Sequence, residues 1–193
     1  RVVLDALELG YRHIDTAMIY RNEAAVGRAL AQSGIPRDEL FVTTKVWNSD
    51  QGKDEAPAAL ATSLELLGLD YVDLYLIHWP APSRGRYVET WLALEDLAAQ
   101  GLSKAIGVSN FEPEHLEDIL EAGSVVPAIN QVELHPAFQH RMVRVFCEER
   151  RILTGARHPP SQDKSELAAL TSLYTLSHKQ RKINHQLFLL THL

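Results

Sequence analysis

Tyr71-Val72-Asp73-Leu74-Tyr75-Leu76-Ile77-His78-Trp79 reads as a buried strand that ends in two rings with polar edges. A helix with Leu60, Leu64 and Leu67 in register precedes it and stops at Gly68. Another, marked by Trp91, Leu94 and Ala98, follows and stops at Gly101. One strand between two amphipathic helices is the unit from which the rest of the pattern extends.

Toward the N-terminus, Val2 to Leu9 forms a helix stopped by Gly10, and Tyr11 to Thr16 a short strand. Asn22 caps a helix carrying Val26, Ala29 and Leu30, which Gly34-Ile35-Pro36 ends before the strand Leu40 to Trp47. Toward the C-terminus, Lys104 to Val108 is a strand, and Pro113 opens a helix bearing Leu116, Ile119 and Leu120. Ala128 to Leu134 is the fifth strand, and Met142, Val145 and Phe146 mark a last amphipathic helix. Strands thus start at 11, 40, 71, 104 and 128. A repeat of that size, one strand and one helix per unit, predicts right-handed βαβ units and a parallel sheet. An open doubly wound sheet and a closed (β/α)8 barrel both satisfy it. No G-x-G-x-x-G follows the first strand, so a Rossmann dinucleotide site has no support.

Composition agrees with a globular α/β protein. The 193 residues are 46% hydrophobic and 23% charged, which excludes collagen-like, disordered and disulfide-dense classes. A net charge of −6 argues against nucleic acid as partner. Cys147 is the only cysteine, so no internal disulfide forms, and a reducing, cytoplasmic setting is expected. No apolar run reaches the roughly 18 residues that span a bilayer, and an acid at Asp5 argues against a signal peptide. The charge is uneven: the balance is −9 up to Arg151 and +3 from Ile152 onward. We therefore expect a division of the chain at 151/152.

A barrel makes a demand the sequence can meet, since functional side chains should gather at the C-terminal ends of strands. Asp15 and Thr16 end the first strand, Lys45 and Trp47 the second, His78 and Trp79 the third, and Ser109 and Asn110 the fourth; Gln131 and Glu133 lie in the fifth. Taken singly, a lysine at a strand end is commonly a solvated charge and a lone histidine a structural one. Three consecutive units placing an ionisable group in the same layer weaken that reading. An Asp and a Lys aimed into one interior form a buried ion pair, which is expensive unless it is used.

Five stretches carry a resemblance to a known family. Gly10-Tyr11-Arg12-His13-Ile14-Asp15-Thr16-Ala17, continued by Tyr20-Arg21-Asn22-Glu23, resembles the aldo-keto reductases. So do Thr44-Lys45-Val46-Trp47, Leu76-Ile77-His78-Trp79-Pro80, Gly107-Val108-Ser109-Asn110-Phe111 and Asn130-Gln131-Val132-Glu133-Leu134-His135-Pro136. The resemblance covers residues 1 to about 150. It implies a (β/α)8 TIM barrel that reduces aldehydes and ketones, small carbonyl substrates, with a nicotinamide cofactor, usually NADPH, and without a metal. Matched residue by residue, the family's catalytic tetrad falls on Asp15, Tyr20, Lys45 and His78. Tyr20 would protonate the carbonyl oxygen as hydride arrives. A free Tyr, with a pKa of about 10, donates reluctantly near neutrality, and the Lys45 ammonium would ease this by favouring phenolate. Asp15 would hold Lys45 in place, and His78 would orient the carbonyl. The resemblance further implies that Ser109, Asn110 and Gln131 bind the nicotinamide carboxamide, that Asp15 and Thr16 flank its ribose, and that Trp47 and Trp79 wall the substrate site. His13 and His135 belong to the motifs without an assigned chemistry, and Cys147 is expected to be a buried, inert thiol.

The departures set further expectations. The chain begins inside the helix that follows the family's first strand. After Arg151, Ile152-Leu153-Thr154-Gly155-Ala156 starts as a further strand would, but Arg157-His158-Pro159-Pro160 breaks the pattern. Nothing later resembles the Lys-Ser and Arg-x-x-x-Asn elements that grip the adenosine end of the cofactor. The remainder, with Leu167, Leu170, Leu173 and a basic Lys179-Gln180-Arg181-Lys182 run, matches nothing in the family. These features predict an incomplete, truncated barrel of five strands, weak NADPH binding and self-association through open sheet edges, where full-length relatives are often monomeric. The alternative to an active reductase is a catalytically silent relative that binds a cofactor or partner.

Overall fold

Among the described residues, six strands follow one another in chain order in a single, wholly parallel sheet. They are β1 (His13–Asp15), β2 (Phe41–Val46), β3 (Val72–Ile77), β4 (Ser103–Ser109), β5 (Ile129–Glu133) and β6 (Leu153–Arg157). Helices α1 (Val2–Glu8), α2 (Glu23–Ser33), α3 (Glu55–Leu67), α4 (Tyr87–Ala99), α5 (Pro113–Ala122) and α6 (Arg141–Glu149) precede or connect them. This computed structural model describes residues 1–134 and 138–157. His135, Pro136 and the stretch from residue 158 onward, with its expected helical pattern and basic run, lie outside the described residues.

Side chains alternate along each strand between the concave interior and the helices outside. In β2, Lys45 faces inward to Asp15 while Thr44 faces outward to Glu23 of α2. The sheet is strongly curled, and one contact demonstrates it: Gln131 Nε2 of β5 donates to Asp15 Oδ2 of β1 at 2.7 Å. Three strands separate these two in the sheet order, so a flat sheet with a spacing of about 4.8 Å would hold them about 19 Å apart. The class is therefore the expected incomplete (β/α)8-type barrel, with six strands rather than five. The sixth continues the sheet just past Ile152, where the charge balance changes. Gly155 lets β6 lie close on β5, because a Cβ there would sit 2.7 Å from Ile129 Cδ1. The charge step and the His-Pro-Pro that follows obscured this short strand in the sequence.

The principal core lies between sheet and helices. It joins Val42, Tyr75, Ile77, Ile106 and Val108 to Leu60, Leu67, Trp91, Leu94, Leu116 and Ile119. Gly34 and Gly68 close α2 and α3 in the left-handed conformation, both at φ 66°. Pro113 opens α5, and the Glu112 backbone N–H donates to His115 Nδ1 at 3.2 Å to complete its cap. At the N-terminal end of the strands, Asp73 receives Arg37 Nη2 at 2.7 Å, Val42 N at 2.9 Å and Lys104 Nζ at 3.1 Å. Burial raises the cost of charge there, yet these donors outweigh it and hold the Asp73 carboxyl below the usual carboxylate range.

Asp73 thus locks the 37–42 segment and β4 onto β3. Replacing Asp73 with Asn should lower unfolding free energy in urea by about 2–3 kcal/mol, the low side of a broken buried pair because Arg37 and Lys104 can turn toward water. A depressed carboxyl stabilises above its unfolded value of about 4 and loses that contribution as pH falls through the lower folded value. The gap between the two proteins should therefore narrow below about pH 4. A second expectation concerns α2 and α3, which touch at Gly27, where a Cβ would stand 2.4 Å from Leu67 O. Gly27→Ala must separate the two helices, and should cost about 1–3 kcal/mol in the same assay despite Ala being the better helix former.

Candidate active site

The C-terminal ends of β1 to β5 and the turns after them carry every residue the sequence selected. Asp15 is the last residue of β1. One of its carboxylate oxygens takes an ion pair from Lys45 Nζ, and the other accepts from Gln131. The lysine and aspartate side chains keep only 1% and 7% of their surface. Lys45 also donates to the Thr16 carbonyl at 2.9 Å. In a low dielectric such a pair recovers its desolvation cost only when each charge is well hydrogen-bonded, and here both are.

Tyr20 ends a 3-10 turn, Met18–Tyr20, between β1 and α2. The Lys45 ammonium stands 5.6 Å from the centre of its ring. His78, 3% exposed just past β3, presents its ring at 5.7 Å and nearly perpendicular to Tyr20. Trp47 meets the same imidazole edge-to-face at 5.2 Å. Tyr20, Lys45, His78 and Trp47 thus form one connected cluster, and Asp15 anchors it from below. Trp79 follows His78 and keeps 39% of its surface exposed.

Ser109, Asn110 and Gln131 make a second, polar group beside the first. Asn110 takes a left-handed φ of 63°, which turns its side chain back over the strand ends. Its Nδ2 donates to the His78 carbonyl at 2.8 Å and to Ser109 Oγ at 3.0 Å. Ser109 Oγ donates to the Gln131 carbonyl at 2.8 Å. Thr16 donates to Asn22 Oδ1 at 2.6 Å. Asn22, read from the sequence as a side-chain helix cap, therefore makes no such cap: its amide closes the Tyr20 loop instead.

His13 sits one layer below Asp15, with Nε2 2.9 Å from Thr43 Oγ1. Burial holds its imidazole below the usual value; the Asp15 charge opposes this and Lys45 adds to it. Cys147, buried on α6, has its thiol pushed up chiefly by burial, as an inert thiol requires. Sequence reasoning passed over Gln51, fully buried, whose Nε2 donates to the Trp79 carbonyl at 2.7 Å. It lies in a polar loop without periodicity, so nothing in the sequence distinguishes it. Glu23, which follows Asn22 in the first motif, is buried against Thr44 and Ser63, contacts that nothing local in the sequence signals. Among the described residues, no group of three or more His, Cys, Asp or Glu could hold a metal ion.

The arrangement brings an ammonium, a phenol and an imidazole together, with amide and hydroxyl groups beside them. Such a set can protonate and orient an oxygen that gains negative charge. Ser109, Asn110 and Gln131 carry the hydroxyl and amide chemistry that pairs with a carboxamide, and in this structure their donors are engaged with the Gln131 and His78 carbonyls, Ser109 Oγ and Asp15.

Comparison with known proteins agrees with this geometry. The family model described as aldo/keto reductase family matches residues 1–158. A 9,11-endoperoxide prostaglandin H2 reductase from Trypanosoma cruzi is 54% identical over 154 residues, 80% of this chain and 54% of that protein. Methylglyoxal reductase DkgA from Yersinia pestis is 44% identical over 191 residues, 99% of this chain and 68% of that protein. A Bombyx mori aldo-keto reductase solved in complex with NADP superimposes with a TM-score of 0.78 at 37% identity, covering 93% of this chain and 65% of that one. The chain spans about half to two thirds of the length of these relatives. With the family model matched over most of its length, the chain belongs to the aldo/keto reductase family.

Proposed function

We propose that this chain reduces small aldehydes and ketones to alcohols, using NADPH, with Tyr20 as the general acid. The observation that carries the reading is the buried Asp15–Lys45 pair set beneath the ring of Tyr20. A buried pair is weak evidence for stability alone, since well-packed apolar residues often serve as well; a reaction that needs a fixed cation beside a phenol explains its presence. Relatives add support at the family level, with one named for reducing methylglyoxal and another solved with NADP.

When bound, the nicotinamide supplies the hydride. Ser109, Asn110 and Gln131 would hold its carboxamide, with Asp15 and Thr16 beside the ribose. The residues of the chain handle the oxygen. His78 orients the carbonyl by a hydrogen bond, fixed in turn by Asn110 on its backbone carbonyl. Tyr20 gives up its proton to that oxygen, and the Lys45 ammonium stabilises the negative charge left on the phenol. Asp15 keeps Lys45 from swinging into solvent. Trp47 and Trp79 offer aromatic walls suited to apolar or sugar-like carbonyl compounds.

The same reading includes a division of the chain at 151/152, a cytoplasmic setting that rests on the single buried Cys147, and no nucleic-acid partner. No helix among the described residues is long and apolar enough to cross a membrane. It also includes self-association, because β1 and β6 stand at the two edges of the sheet.

NADPH oxidation with a panel of small aldehydes, methylglyoxal among them, tests the activity. Tyr20→Phe should lower kcat about a thousandfold, within the range for general acids. Equal rates in the two proteins would remove Tyr20 from the mechanism. A parent chain that quenches NADPH fluorescence on binding but turns over nothing would favour the silent relative. Sedimentation velocity should show concentration-dependent association at micromolar levels; a single monomer boundary across a hundredfold dilution series would contradict it.

A further inference from the structure

Thr44 and Lys45 are neighbours on β2 and therefore point to opposite faces of the sheet. On the inner face, Lys45 is held by the Asp15 carboxylate and the Thr16 carbonyl. On the outer face, Thr44 Oγ1 donates to Glu23 Oε1 at 2.6 Å. Both sets of partners belong to one short segment, residues 15–23, and that segment carries Tyr20 at its middle. The segment therefore straddles β2 and grips it from both sides. It is closed at its base by the Thr16–Asn22 hydrogen bond, and Arg21 turns it through a left-handed φ of 55°.

Glu23 is an unusual choice for a packing position. It is 2% exposed between the sheet and two helices, where a polar carboxyl group loses its hydration. Two buried hydroxyls compensate, Thr44 at 2.6 Å and Ser63 of α3 at 3.1 Å. As the first residue of α2, Glu23 also sits at the positive end of that helix. A short, directional hydrogen bond to a strand fixes distance more tightly than apolar packing does. The residue it fixes, Thr44, is the one beside Lys45.

We propose that Glu23 is a positioning residue that, through Thr44, sets the Tyr20 hydroxyl at its working distance from Lys45. It lies on the outer face of the sheet, held by Thr44 and Ser63, opposite the face that carries Lys45 and Asp15. Its effect is to bind the start of α2 to β2, so that the turn bearing Tyr20 cannot drift relative to the strand bearing the lysine. The inference rests on the reductase reading above for its kinetic consequence, and on geometry alone for its structural one.

Three variants separate positioning from packing. Thr44→Val removes the hydroxyl at nearly constant shape, Thr44→Ser keeps it, and Ser63→Ala removes the other donor to Glu23 without touching β2. Thr44→Val should lower kcat about tenfold, below the hundredfold that a 1 Å misplacement can cost, with KM changed less than about twofold. Thr44→Ser should recover the parental rate, and Ser63→Ala should keep it although its urea midpoint also falls. Rates that drop in Thr44→Val and Ser63→Ala only in step with stability would make Glu23 a packing residue and overturn the proposal. A second readout needs no turnover: 19F NMR of the 3-fluorotyrosine-labelled chain, with the Tyr20 signal assigned by its loss in Tyr20→Phe. That signal should move in Thr44→Val and stay in Ser63→Ala; a signal that moves equally in both, or in neither, sinks the idea. A parent chain inactive on every carbonyl tested would defeat the reductase reading, while the spectra still decide this one.

Discussion

The Asp15 carboxylate shapes the molecule through its two oxygens, which perform different tasks. One neutralises Lys45, and the other ties down Gln131 from the far side of the sheet. The first bond makes a buried ammonium tolerable. The second requires a curl tight enough to bring β5 over β1, so the charge requirement and the curvature are satisfied at one atom pair each. Apolar residues at these positions could pack the interior without demanding that coincidence, because the hydrophobic effect is non-directional. The directional bonds are what set the position of the ammonium beneath Tyr20.

The two ends of the strands divide the work accordingly. At the N-terminal end, Asp73 gathers Arg37, Lys104 and a backbone N–H into a cluster that joins three chain segments. At the C-terminal end, polar groups likewise bond one another, through Asp15, Lys45, Gln131, Ser109 and Asn110, with the rings of Tyr20, His78 and Trp47 set beside them. In parallel barrels generally, one face secures the fold and the other carries chemistry. The Asp73 cluster is also partly accessible through Lys104, 54% exposed, whereas Lys45 is sealed at 1%. Exposed charge is cheap and sealed charge is not, which is why the sealed one calls for a functional explanation.

Much of this was legible in the sequence because it depends on local rules. Strand and helix alternation came from hydrophobic periods and glycine stops, and the α2 and α3 ends at Gly34 and Gly68 follow from their left-handed caps. Asp15, Lys45 and His78 could be picked out because consecutive units place ionisable groups at the same layer. What escaped depends on contacts between distant residues. Asn22 has the composition of a cap, but a hydroxyl six residues earlier competes for its amide. β6 is five residues long with an interior glycine, and only its neighbour β5 makes it a strand. Gln51 belongs to a loop whose role is set by the backbone of Trp79. Glu23 looks like an ordinary first-turn acid until Thr44 and Ser63 are seen closing over it.

The order of the site along the chain has a physical consequence of its own. Asp15, Tyr20, Lys45 and His78 come from three successive strand–turn units, joined by hydrogen-bonded neighbours β1, β2 and β3. That cluster is thus assembled from pairings close in sequence, whose closure entropy is modest. Ser109, Asn110 and Gln131 come from the next two units, and Gln131 reaches Asp15 only across 116 residues. The Ser109–Asn110–Gln131 group therefore depends on the curl of the whole sheet, whereas Tyr20 and Lys45 depend mainly on the β1–β2 pair and the loop that straddles it. A loosened sheet would separate Gln131 from Asp15 first and leave Lys45 paired, so cofactor affinity should be the more sensitive of the two to anything that opens the barrel.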